Sequence, residues 1–402
     1  MMIKPDGTVE RTEYLKKLSG WKDRTDVAKV ITGIRRCGKS TLMMQFIHML
    51  EESGVNSANI LYLNLESGDA EDIRDSKDLN ACIRERIPKD KRTYILLDEV
   101  QRVEEWEKTL NSLMVDYDAD VYITGSNAYL LSSELATYIS GRYVEIKMLP
   151  LSFKEYLKLH PEFDSAESGF DSYLRHGALP SIDPHADEDR IGEQLQGIYN
   201  TVLVKDVLTR HEIRNMGILQ SLVRFLFSNV GSITNIHTIS KQLGVSSPMI
   251  RNYINSLEEA YIIYKAERYD VRGKRVLRSN EKYYAADLGM RNAMIGWRGD
   301  DMGRQIENIV YLELRRRGYD VLVGSFRDAE VDFTAFKGRR VEYYQVTRSM
   351  FSESVSEREI RSLKMISDSY PKTILSLDRI MTEPGDGIAH MNMIDWLLMN
   401  DS

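Results

Sequence analysis

Eight consecutive residues carry the most specific chemistry in this chain. Gly33-Ile34-Arg35-Arg36-Cys37-Gly38-Lys39-Ser40 fills every fixed position of G-x-x-x-x-G-K-[ST], and Thr41 follows directly. The pattern predicts a phosphate cradle. Gly33 and Gly38 permit backbone conformations and a close approach that a side chain blocks. Successive backbone N–H groups then point at phosphate, reinforced by the positive end of a helix starting near Lys39. Lys39 is expected to reach the β- and γ-phosphates, and Ser40 to offer its hydroxyl to Mg²⁺. Arg35 and Arg36 either contact phosphate or pair with nearby acids. Cys37 fills a tolerant position, where oxidation would block nucleotide binding.

A second acidic site is expected on the same sheet. Tyr94-Ile95-Leu96-Leu97-Asp98-Glu99 puts two carboxylates after four apolar residues, at the end of a predicted strand. Open α/β sheets bind ligands at that edge. Asp98 is expected to hold Mg²⁺ through water, and Glu99 to polarise the attacking water. Thr124-Gly125-Ser126-Asn127 ends the next strand, and Asn127 is the candidate to orient that water or sense the γ-phosphate. Arg142, in Ser140-Gly141-Arg142-Tyr143, is a candidate for stabilising transition-state charge in cis or from a neighbouring subunit.

These groups must be positioned by alternating elements. Val27–Thr32, Ile60–Leu65, Tyr94–Leu97 and Val121–Thr124 read as strands, and Lys39–Leu50, Asp78–Ile87 and Trp106–Val115 as helices. Such alternation predicts an α/β fold with a parallel sheet and helices on both faces.

The combination of Gly33–Thr41, Leu97-Asp98-Glu99-Val100-Gln101, Thr124–Asn127 and Leu149-Pro150-Leu151-Ser152-Phe153-Lys154-Glu155-Tyr156 resembles a prokaryotic family of AAA+-like P-loop ATPases. In that family a C-terminal domain of unknown function follows the ATPase. The resemblance covers nearly the whole chain, and the string from Leu149 to Tyr156 is its most specific part. It implies an AAA+-type core with a helical lid, and ATP as the nucleotide.

Beyond Leu151 the texture changes. Residues 153–230 read as mostly helical. Ile236–Leu243, a turn at Gly244, a second helix through Ala260 and a hairpin over 261–284 read as a winged helix-turn-helix. Residues 261–298 hold nine basic and four acidic side chains, a local +5 against −7 for the whole chain. That concentration suits phosphate contact. Arg251 on the second helix and Arg272, Lys274 and Arg275 on the wing are the DNA-binding candidates; docking of a protein is the other reading of such a module.

In the last hundred residues Glu307 stands on a predicted helix, Asp332 on a strand in Glu330-Val331-Asp332-Phe333, and Gln345 on the next in Tyr343-Tyr344-Gln345-Val346-Thr347. This arrangement resembles the PD-(D/E)XK nuclease fold. Gln345 replaces the expected glutamate and Thr347 the expected lysine, which removes a metal ligand and the group that activates the nucleophile. The expectation is a degenerate nuclease fold retained for binding. Glu342 is a substitute ligand only if it faces the same way as Asp332.

Length and composition set the frame. The 402 residues predict several domains, with 42% hydrophobic and 29% charged residues fitting a folded protein. Two cysteines cannot build a disulfide framework, so a reducing compartment is expected. No apolar run approaches the roughly 18 residues of a membrane span, and Met1–Tyr14 has no apolar core for a signal peptide. The chain is therefore expected to be cytoplasmic, with no membrane partner. The expected division is an ATPase core over 1–155, a helical lid and connector over 156–230, a winged helix over 231–298 and a restriction-endonuclease-like α/β domain over 299–402. The expected activity is Mg²⁺-dependent ATP hydrolysis to ADP that controls a DNA- or protein-recognition module, with self-assembly an open option. An ATP-gated nuclease and a nucleotide-stabilised scaffold are the alternatives.

Overall fold

In a computed structural model, which describes residues 7–88, 91–128, 139, 141–208, 213, 215–326 and 329–400, the apolar runs of the first 150 residues form the middle of a sheet. Met1–Asp6, Ser140 and the side chain of Arg278 lie outside the described set. Strands β1 (Ala28–Thr32), β3 (Thr93–Asp98) and β4 (Ala119–Gly125) are buried at every position, as parallel strands covered on both faces must be. With β2 (Ile60–Asn64) and β5 (Tyr143–Lys147) they make a five-stranded parallel sheet in the order β2-β3-β4-β1-β5.

Helices α1 (Thr12–Gly20), α2 (Lys39–Glu52), α3 (Ser76–Arg86) and α4 (Trp106–Asp116) accompany these strands. Leu79 and Ile83 of α3 and Trp106, Leu110 and Leu113 of α4 share a buried cluster with Leu63, Leu97, Val121 and Ile123. Each such side chain adds about 1.5–3 kcal/mol on burial. Strand β4, distant in sequence from β1, lies directly between β1 and β3. The registers Thr32↔Gly125 and Asn64↔Asp98 bring the C-terminal ends of the strands to one edge.

The chain divides into two compact units: Met1–Pro150 with Glu259–Tyr261, and Leu151–Glu258 with Ile262–Ser402. The second opens on α5 (Phe153–Leu159). Its start explains the Leu149–Tyr156 string: Ser152 accepts from the Glu155 backbone N–H while the Glu155 carboxylate accepts from that of Ser152, a capping box. Next come α6 (Ala166–His176), α7 (Glu188–Val202), a π-helical turn (Leu203–Leu208) and α8 (Met216–Ser228). Then α9 (Ile236–Leu243) turns at Gly244, in the left-handed region, into α10 (Ser247–Glu259). The hairpin β6 (Ile263–Asp270) and β7 (Arg275–Ala285) follows, then α11 (Leu288–Ile295) and α12 (Met302–Arg316). The unit closes with β8 (Asp320–Phe326), β9 (Ala329–Lys337), β10 (Arg340–Val346), α13 (Glu353–Lys364), β11 (Lys372–Ser376), β12 (Ile388–Asn392) and α14 (Met393–Leu398).

One expected boundary does not survive. The second sheet has seven strands in the order β12-β11-β10-β9-β8-β6-β7. Strand β6 pairs in parallel with β8 through Arg268↔Val323, Tyr269↔Gly324 and Asp270↔Ser325. The division drawn at 298/299 is therefore crossed by a hydrogen-bonded ladder, because an unpaired β6 edge finds its partner in the following segment.

Candidate functional site

The phosphate-loop motif leaves β1 in a conformation that explains its glycines. Gly33 has φ +147°, and a Cβ there would stand 2.2 Å from the Met148 carbonyl oxygen. Gly38 has φ +100° and caps α2. Arg36 also lies at positive φ, +66°, so the turn is tightened even where the residue is not glycine. Lys39 is nearly buried, with Nζ 2.9 Å from the Gly33 carbonyl, 3.3 Å from that of Ile34 and 3.8 Å from Glu99 Oε1. The ammonium thus rests between two backbone carbonyls and the Glu99 carboxylate. Ser40 is exposed at the first turn of α2, and Thr41 is half-buried beside it.

Of the readings left open for the loop arginines, the pairing one is seen for Arg35, which lies 3.6 Å from Glu66; Arg36 is exposed. The expectation for Cys37 changes. Its thiol is wholly buried and burial pushes its pKa up, so no accessible thiolate is presented for oxidation. Sequence reasoning also missed Arg11. Its buried guanidinium donates to the Cys37 carbonyl at 3.1 Å and to the Leu149 carbonyl at 2.8 Å, and the Leu149 N–H donates to the Tyr14 hydroxyl at 3.0 Å. A lone arginine 22 positions ahead of Gly33 carries no motif, so only the fold reveals this brace.

The acidic pair sits where β3 ends. Asp98 is fully buried; one carboxylate oxygen accepts from the Thr124 hydroxyl and the other from the Tyr62 hydroxyl at 2.9 Å. Glu99 adopts positive φ, +55°, and its N–H donates to Thr124 Oγ1 at 2.9 Å. The Gln101 amide donates to Glu99 Oε2, and Gln101 also stands 3.5 Å from Ser126 Oγ. Thr124 therefore ties β4 to the Asp98 carboxylate and to the Glu99 backbone N–H. Asn127, fully buried, lies two residues beyond the end of β4, the strand between those carrying Lys39's loop and Asp98. The donor set fits a nucleotide with Mg²⁺: a cradle that a Cβ at Gly33 would fill, an exposed hydroxyl at Ser40 and a buried carboxylate at Asp98.

For Arg142 the strand register opposes the in-cis reading. The residue precedes β5, whose Tyr143 pairs with Ala28 at the start of β1, whereas the phosphate loop leaves the other end after Thr32. At about 3.3 Å per residue, five strand residues separate the two edges by roughly 16 Å. Its guanidinium instead donates to the Ile139 carbonyl and to Asn111 Oδ1, each at 3.1 Å. The fold does not carry it to Lys39 within one chain.

A second charged cluster forms in the C-terminal sheet. Glu307 on α12 and Asp332 on β9 do converge, but on a lysine. Lys282 Nζ, from β7, lies 3.0 Å from Glu307 Oε1, 2.7 Å from Glu330 Oε1 and 3.9 Å from Asp332 Oδ1. Burial disfavours its charge, but the three carboxylates outweigh this and hold its pKa above the ordinary lysine value. Burial and then Glu307 push the Asp332 carboxyl well above its usual range. Gln345 bridges the group, accepting from the Asp332 N–H at 3.3 Å and donating to Glu359 Oε2 at 2.6 Å. Glu342 accepts from Tyr319 and Tyr344 hydroxyls on the opposite face of β10 and is no substitute for Gln345.

The local +5 also needs correction. Lys282 and Arg291 are buried, paired with Glu307 and Glu330 and with Asp301 respectively. Arg272, Lys274 and Arg275 remain exposed at the β6–β7 turn, with Arg275 Nε 3.6 Å from Asp270, and Arg251 is exposed on α10.

The comparisons with known proteins agree with the first sheet. Residues 25–157 match an AAA domain, and residues 167–301 match a domain of unknown function. The chain is 40% identical to an uncharacterized protein of Haemophilus influenzae, over 97% of this chain and 98% of that one. It is 31% identical to an uncharacterized protein of Methanocaldococcus jannaschii, over 85% and 79% of the two chains. Among solved structures it is similar in fold to a Walker-type ATPase of Pyrococcus abyssi, with 14% identity, a TM-score of 0.50 and coverage of 71% of this chain and 95% of that one.

Proposed function

Since the chain belongs to the same family as the Haemophilus influenzae protein and bears an AAA-type P-loop domain, we propose that it is a Mg²⁺-dependent ATPase whose nucleotide state controls a recognition module. The observation that carries this reading is the approach of Lys39 Nζ to Glu99 Oε1, 3.8 Å, at the sheet edge that also presents the Gly33–Ser40 loop.

In this reading the backbone N–H groups of the loop and the Lys39 ammonium hold the β- and γ-phosphates. Ser40 and Asp98 would hold Mg²⁺, which supplies charge neutralisation across the phosphates when bound. Glu99 accepts the proton of the attacking water as its oxygen bonds to the γ-phosphorus; the bond to the β-phosphate oxygen breaks and ADP leaves with that electron pair. Gln101 and Thr124 position Glu99, and Asn127 orients the water or senses the γ-phosphate. Arg142 enters only as a group supplied by a neighbouring copy.

The recognition module is read as a winged helix formed by α9, α10 and the β6–β7 hairpin. The exposed Arg272, Lys274 and Arg275 favour DNA as its partner. The element order of α12, β8–β10, α13 and β11 supports a nuclease-like fold. Within it Lys282 holds the place where metal-dependent hydrolysis needs a cation, which argues against nuclease activity. The test is ATP turnover by the full chain with Mg²⁺: Lys39→Ala should lower it about 10²–10³-fold. No turnover in the parent, or normal turnover in the variant, overturns the assignment.

A further inference from the structure

We propose that His160, Glu162 and His185 form a binding site for a late transition-metal dication, with zinc as the best fit. His160 is the C-terminal cap of α5, and Pro161 separates it from Glu162; His185 follows Pro184 in the loop ahead of α7. The fold brings these two loops together. Glu162 Oε1 lies 3.5 Å from His160 Nδ1 and 2.9 Å from His185 Nε2. The three ligand atoms all lie within 4.8 Å of one another. One carboxylate oxygen thus sits between two imidazole nitrogens.

A tetrahedral zinc with bonds of about 2.0–2.1 Å spaces its donor atoms about 3.3 Å apart. Two edges of the triangle already lie near that length, and the third closes with a side-chain adjustment of no more than about 1.5 Å. Aromatic packing restrains both rings: His160 lies 4.8 Å from Tyr156, His185 lies 4.9 Å from Phe163, and Tyr156 and Phe163 stack at 5.9 Å. Less side-chain freedom is therefore lost on binding. The Asp183 carboxylate accepts the His185 backbone N–H at 3.0 Å and holds that turn.

The donors also select the ion. Two imidazoles and a carboxylate suit zinc and its neighbours, whereas Mg²⁺ and Ca²⁺ prefer oxygen alone. His160 is buried while Glu162 and His185 are exposed, so the site is backed by protein and open to entry. A bound ion staples the α5–α6 connection to the loop before α7.

The experiment uses the full chain stripped of metal with a chelator and titrated with zinc chloride without nucleotide. His160→Gln and His185→Gln are compared with the parent, so that zinc bound elsewhere cancels. The parent should bind one more equivalent than either variant and gain a zinc-dependent rise in melting temperature that both variants lose. Magnesium in place of zinc should give no such rise. Equal stoichiometry and equal zinc shifts in all three proteins overturn the proposal and leave two plain imidazole–carboxylate hydrogen bonds. Should a histidine variant fail to melt cooperatively in chelator, Glu162→Gln takes its place and must weaken zinc at least about tenfold.

Discussion

Lys282 Nζ stands 3.0 Å from Glu307 Oε1, joining β7 to α12 inside a carboxylate cluster. A lysine cannot leave when conditions change, as a metal ion can. The ammonium holds the cluster as a buried ion pair and binds the hairpin to the sheet that follows it.

Lys282→Met removes that cation and leaves Glu307 and Asp332 buried without it. A loss of about 3–5 kcal/mol is expected, measured by urea unfolding at pH 7. The pH dependence has a defined sign. Burial, then Glu307, raise the Asp332 carboxyl above its ordinary value in the folded state. Stability from this group is therefore full below its unfolded pKa and is lost as pH rises through the folded one. Without the ammonium that lowers the Asp332 pKa, this loss extends to higher pH, so the variant should recover toward the parent on acidification. A cost that stays constant with pH would count against the pairing.

Glu99→Gln keeps the shape of the side chain and removes its basicity. Turnover should fall about 10²–10⁴-fold, while binding of a fluorescent ATP analogue stays close to that of the parent. Loss of binding and turnover together would assign Glu99 to ground-state contacts instead.

Gly33→Ala places a methyl group 2.2 Å from the Met148 carbonyl at φ +147°. The loop or the segment after β5 must move, at a cost of about 1–3 kcal/mol. Thermal melting should show the loss, and nucleotide affinity should drop with it. A variant with parental stability and affinity would mean the loop relaxes freely.

Arg142→Ala distinguishes a partner-supplied arginine from a structural one. At dilution where the chain is monomeric, turnover should match the parent. If the chain assembles at higher concentration, the parent alone should gain activity, by about 10³-fold or more for a catalytic arginine. Equal loss in dilute monomer would restore the in-cis reading that the strand register opposes.

Arg272, Lys274 and Arg275 are exposed at the hairpin turn. If all three contact duplex phosphate, replacing them with alanine should flatten the plot of log affinity against log salt by about 2–3 in slope. Fluorescence anisotropy on a short duplex over a salt series measures it. An unchanged slope would direct attention to a protein partner.

What the sequence by itself determined is the chemistry that local patterns encode. The Gly33–Ser40 spacing, the apolar run ending in Asp98-Glu99, and the strand closing on Asn127 were legible because strand and helix periods and turn glycines act within a few residues. Glu307, Asp332 and Gln345 follow from the resemblance to the PD-(D/E)XK pattern; Glu307 and Asp332 converge on Lys282, and Gln345 accepts from the Asp332 backbone N–H. Tertiary structure alone decided which distant groups complete each site. Arg11 braces the phosphate loop, Thr124 links the Asp98 carboxylate to the Glu99 backbone, and β6 pairs with β8 across an expected boundary. It also moved Arg142 to the far edge of the sheet and put Lys282 among acids that a charge count treats as neighbours of nothing. The reason is physical: a strand's periodicity fixes which face a residue takes, but register and strand order, set by the packing of the whole sheet, fix what that residue meets.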